Sequence, residues 1–140
     1  MNLRRLILAS ILYLVSAGAG TAMAIRQDLP ADFAGIVRGE NLTRDFLTWK
    51  GTALSPPLVM LLAQVLLTVY AVRGERMKTS GVAGLAVLGV LYTLGMLGER
   101  TLLRVFKPAT PDPVRAIVVG ANVVLPSLMA TFASFELRRR

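Results

Sequence analysis

The chain has 140 residues, of which 54% are hydrophobic and only 17% charged, and its mean hydropathy is +0.60. A soluble domain of this length rarely carries so much apolar surface, because its exterior must meet water. The formal net charge is +8, and cysteine and histidine are both absent, which excludes disulfides, thiol chemistry, iron–sulfur and haem b ligation, most zinc sites and the commonest general base.

After the basic start MNLRR, the first apolar block runs through Leu6–Ile25. Arg4-Arg5, Leu6–Val15 and Ala22-Met23-Ala24 match the three parts of a secretory signal peptide. The block is nevertheless long enough to span a bilayer at about 1.5 Å per residue. It also carries Ser16, Gly20 and Ala24 at four-residue spacing, beside Ala9 and Tyr13. Such a small-residue face lets another helix approach closely, which a cleaved leader does not need. The expectation is a retained first span over 6–25, with residue 26 emerging on the outer side.

Residues 26–53 follow as an outer loop. Pro30 is placed to open a short helix carrying Phe33, Ile36 and Val37 and ending at Gly39. Asn41 can cap a second, which gathers Leu42, Phe46 and Trp49. Two amphipathic helices of this kind would lie in the headgroup plane as a lid over the outer mouth.

The second span is expected over 54–72, opened by Ser55-Pro56-Pro57, with proline where a missing N–H costs nothing. The third, 80–98, follows Thr79-Ser80 as cap and is rich in glycine. Gly84, Leu91, Gly95 and Gly98 fall near one face, and Gly81, Leu88, Tyr92 and Glu99 on an adjacent one. These glycines either permit close helix contact or line a channel-like groove. They form no phosphate loop, since no strand precedes them and no lysine follows at the needed spacing.

The third span leaves through GERTLLRVFKP, where Arg100, Arg104 and Lys107 recur at i, i+4 and i+7. Like charges at that spacing repel on an isolated helix, so an anionic partner is expected, either lipid phosphate or the acidic residues of the first loop. Glu99 reads as one member of a surface ion pair with a neighbouring arginine, the alternative being a cation or proton site. The fourth span, 114–135, opens at Asp112-Pro113.

Ser16, Gln64 and Asn122 fall near the midplanes of their spans and Tyr92 about a turn further out on the third, so the four are expected to share one layer. Pro126 lies four residues after Asn122, so it cannot donate to the Asn122 carbonyl and should kink the helix there. One reading is polar glue between helices. The other is a ligand site in one layer, of the kind that broken helices build in transporters.

The expected fold class is therefore all-α: an integral membrane four-helix bundle, one membrane domain over 1–140, with short amphipathic helices in the first extracytoplasmic loop. Lysine and arginine divide evenly between the two sides, but those assigned inside crowd directly against the span ends, which favours N-in/C-in. Arginine greatly outnumbers lysine, in keeping with a GC-rich bacterial genome, so the expected location is a bacterial cytoplasmic membrane. The size is similar to that of the small multidrug resistance transporters, but the intramembrane glutamate on which that family depends is missing from the first span. Nothing points to a catalytic residue, a metal or a cofactor. The role expected is a non-enzymatic accessory, scaffold or lipid-binding subunit, the alternative being a small carrier with a polar site at Gln64 and Asn122. The partners expected are the bilayer, anionic lipid or another membrane protein, and not nucleic acid.

Overall fold

Proline, glycine and capping residues set where the apolar blocks turn helical. The computed structural model describes residues 2–48, 50–100 and 112–139. Its elements are α1 (Asn2–Gln27), β1 (Asp32–Phe33), β2 (Val37–Arg38), α2 (Leu42–Leu47), α3 (Leu58–Val72), α4 (Glu75–Leu97) and α5 (Pro113–Leu137). The protein is thus helical apart from one two-stranded antiparallel hairpin. Among the described residues three helices, α1, α4 and α5, are long and apolar enough to cross a membrane, whereas α3 has 15 residues.

Two helix starts differ from expectation. Residues 54–57 are not helical. Pro56 and Pro57 donate no N–H, and each holds the preceding residue in extended backbone. Pro57 itself sits at φ −64°, ψ 152°, so α3 begins only at Leu58. In α4, Thr79 and Ser80 lie inside the helix rather than before it. The helix instead starts after Gly74, with Glu75 in its first turn, where a negative charge suits the helix dipole. Lys78 lies 3.5 Å from the Glu75 carboxylate. The α5 start is as expected: the Asp112 carboxylate accepts from the Val114 and Arg115 N–H groups at 3.1 and 3.2 Å, and Pro113 follows it.

The first lid helix expected over 30–39 is absent, and the hairpin stands in its place. Ala34 and Gly35 both adopt positive φ (51° and 74°), and the Ile36 N–H reaches the Phe33 carbonyl at 2.9 Å. A pair of positive-φ residues turns a hairpin tightly and cannot continue a helix. The second lid helix is present as α2. Asn41 accepts from the Arg44 N–H at 3.0 Å, and the buried Asp45 carboxylate accepts from the Glu40 and Asn41 N–H groups at 2.8 and 3.2 Å. Trp49, expected beside Phe46, lies outside the described residues.

Contacts fix the helix order. Ser10 and Gly20 of α1 meet Thr68 and Leu54 respectively, so α1 and the segment leading into α3 run antiparallel. Met60 meets Tyr92 and Ala71 meets Gly81, which sets α3 against α4. Thr93 meets Ser127 and Gly89 meets Ala130, which sets α4 against α5. Ser16 meets Asn122, which closes α5 back onto α1. Each neighbour therefore runs opposite to the next. Between them lie two cores, one built around Leu6, Tyr13, Leu85, Tyr92 and Met129, and a smaller one around Ala24, Leu54, Met96 and Val119. The outward faces are apolar too: Leu8, Leu12, Leu62, Leu94 and Ile117 are all exposed.

Candidate functional site

The sequence singles out polar residues within apolar helices, and the structure divides them between separate clusters. Asn122 is buried and uses both ends of its amide. Its Oδ1 accepts from the Ser16 hydroxyl at 2.7 Å, and its Nδ2 donates to the Leu54 carbonyl at 2.7 Å. Three chain segments meet at this one side chain. The Leu54 carbonyl can reach it because Gly20 of α1 leaves the space: a methyl group there would overlap that oxygen.

Gln64 belongs to a different cluster. It is fully buried, and its Nε2 donates to the Ser10 carbonyl at 3.0 Å and the Ser10 hydroxyl at 2.9 Å. The Ser10 hydroxyl lies 2.8 Å from that of Thr68, which in turn donates to the Gln64 carbonyl at 2.7 Å. Gln64 Oε1 is buried and has no hydrogen-bond partner among the described residues. Tyr92 stands apart again, its hydroxyl donating to the Met60 carbonyl at 2.9 Å and its ring stacked on Tyr13 with centroids 4.8 Å apart. The expectation that Ser16, Gln64, Tyr92 and Asn122 share one layer is therefore corrected. Each side chain has a partner at its own depth, Ser16 and the Leu54 carbonyl for Asn122, Ser10 for Gln64 and the Met60 carbonyl for Tyr92, as burial of polar groups requires. Pro126 is buried within α5, which continues through it.

The lid is tied to the outer end of α4. Glu99 is 5% exposed, so it is not the surface group expected. Its carboxylate accepts from the Asp32 N–H at 2.9 and 3.2 Å. The Ala34 N–H donates to the Gly98 carbonyl at 2.9 Å, and the exposed Arg100 guanidinium donates to the Ala34 carbonyl at 3.2 Å. Gly98 carries the Phe33 ring directly against its α-carbon. Arg104 and Lys107, the other two expected headgroup contacts, lie outside the described residues.

Beneath this lid is a cavity of about 160 Å³. Tyr13 and Tyr92 line it together with Leu54, Met60, Leu91 and Met96, and the charged residues Lys50 and Glu99 also border it. Of the glycine face foreseen on the third span, Leu91 and Gly95 do line this space, while Gly84 and Gly98 serve contact with Leu67 and Phe33. Met60 and Met96 are not singled out by sequence. Ser55, Pro56 and Pro57, which the sequence marks as the break before α3, line the same space. Among the described residues no group of acidic side chains could hold a metal ion. The chain matches no protein-family model, no curated protein and no solved structure.

Proposed function

We propose that this chain is a four-helix integral membrane protein of the bacterial cytoplasmic membrane, N-in/C-in, acting without enzymatic activity as a lipid-binding accessory or scaffold subunit. The observation that carries the reading is the placement of polarity. The buried side chains Asn122, Gln64 and Ser10 bind helix to helix, while the outward faces are apolar. A water-soluble protein has the opposite arrangement, and a bilayer protein uses such groups as glue.

The short α3 fits within this reading. Fifteen residues cover about 22 Å, short of the roughly 30 Å hydrocarbon core. The buried segment Thr52–Pro57 would cover the rest. Irregular backbone is tolerated at membrane depth only where protein satisfies it. Here the Thr52 N–H meets the Ser55 carbonyl at 2.8 Å, the Ala53 N–H meets the Leu29 carbonyl at 3.3 Å, and Asn122 takes the Leu54 carbonyl.

Extraction of the full chain in polymer nanodiscs, without detergent, tests the role. A stoichiometric lipid or membrane-protein partner in the recovered particle is expected. Recovery with bulk lipid alone, in native proportions and without a partner protein, contradicts it. A second reading, a small carrier with a site at Gln64 and Asn122, draws on one observation: Gln64 Oε1 is a buried acceptor left open.

A further inference from the structure

The cavity under the lid has walls of two different kinds. Its floor is the stacked pair Tyr13–Tyr92, and its sides are Leu54, Met60 and Met96. Two of its lining residues on α4, Leu91 and Gly95, are exposed on the outward apolar face of that helix. The space therefore opens sideways, toward the surface that would face lipid. At its other limit stands Lys50, also exposed, whose ammonium group donates to the Arg38 carbonyl at 3.0 Å and has no carboxylate within ion-pair distance among the described residues. The Glu99 carboxylate on the same rim is held by the Asp32 N–H.

We infer that this cavity is a binding site for one acyl chain of a bilayer phospholipid, with the lipid phosphate at Lys50 and the rest of the chain leaving past Leu91 and Gly95. The inference deepens the membrane-spanning, lipid-binding reading above and rests on it. Volume, polarity and access each support it. An apolar cavity of about 150 Å³ stays dry and accommodates a benzene-sized molecule, so this one takes about six chain carbons. Tyr92 lies six residues before Gly98, hence about 9 Å below the outer end of α4 at 1.5 Å per residue. That is acyl-chain depth for a lipid whose phosphate is level with the lid. A lone ammonium group at a membrane surface attracts phosphate, and no described acidic side chain neutralises it.

The test is photolabelling of the full chain in nanodiscs containing phosphatidylglycerol with a diazirine in the upper part of one acyl chain. Peptide mapping should show label concentrated at Met60, Leu91 and Met96, several-fold above that on the outward residues Leu62 and Leu66. Gly95→Phe should reduce the cavity label several-fold and leave the outward label unchanged. A Cβ at position 95 meets no atom of the described residues within 4 Å, so the backbone there has room for the substitution. Lys50→Gln, or replacement of the probe by a diacylglycerol with the same chain, should also lower cavity labelling several-fold. Equal labelling of cavity and outward residues, or insensitivity to Gly95→Phe or to the missing phosphate, would overturn the site. If outward residues also escape label, the membrane-spanning reading fails along with it. Label on outward residues alone removes the site and leaves that reading standing.

Discussion

Asn122 and Gln64 are both buried amides, yet they stand in different energetic positions. Asn122 satisfies both its ends, and the Leu54 carbonyl depends on it. Asn122→Leu leaves that carbonyl buried without a donor, at a cost of about 1–3 kcal/mol. Gln64→Met loses two bonds to Ser10, worth about 0.6 kcal/mol each in a membrane protein. It also removes the unpartnered Oε1, whose burial is itself unfavourable by about 1–3 kcal/mol. The two terms nearly cancel. Unfolding in mild detergent should therefore show Asn122→Leu clearly destabilised and Gln64→Met within about 1 kcal/mol of the parent. Equal losses for the two variants would mean that Gln64 Oε1 has a partner in the folded protein.

At the scale of elements, close approach is decided by individual glycines rather than by glycine content. Gly20 admits the Leu54 carbonyl to α1, Gly81 admits the backbone of Ala71, and Gly89 admits that of Pro126 and Ala130. Gly95 has no neighbour within 4 Å of an added Cβ among the described residues. Gly20→Ala forces the irregular segment off α1 and disturbs Asn122 as well, so an overpacking cost of about 1–3 kcal/mol is expected. Gly95→Ala on the open face should stay within about 0.5 kcal/mol. Paired melting curves of the two variants check this. Similar Tm values would show that Leu54 is not seated against α1 in the way described.

For the molecule as a whole, the up-and-down order of the helices makes topology a direct consequence of membrane insertion. If all four helices span, the α3–α4 turn shares a compartment with both termini, and the other two connections lie on the opposite side. Reporter fusions after Arg76 and after Arg140 should be cytoplasmic, and one near Arg38 should be outside. The reverse pattern would contradict the orientation, which rests on how tightly Arg4, Arg5, Arg73, Arg76 and Lys78 crowd the helix ends. A cytoplasmic signal near Arg38 with one outside after Arg76 would invert the protein but keep four crossings. A shared signal at Arg38 and Arg76 would mean that α3 does not cross.

Periodicity and length in the sequence alone determined that the chain is helical and apolar, and capping chemistry located Asn41 and Asp112 as helix starts. These are local properties: a side chain bonding the N–H two or three residues ahead needs no partner from elsewhere. Sequence also pointed to Ser16, Asn122 and Gln64 as interior, because an amide facing an apolar medium loses its hydrogen bonds. Their partners were a different matter. That Asn122 joins Ser16 to the Leu54 carbonyl, while Gln64 turns to Ser10, depends on the rotation of each helix about its axis and on Gly20 yielding space. The hairpin at Asp32–Arg38 in place of a helix was likewise settled at long range, where the Glu99 carboxylate and the Gly98 carbonyl take up the N–H groups of Asp32 and Ala34. The cavity exists for the same reason. Pro56 and Pro57 forbid helix by local sterics, but only packing against α1 and α5 decides that the resulting backbone stays buried and holds a space open beside Tyr92.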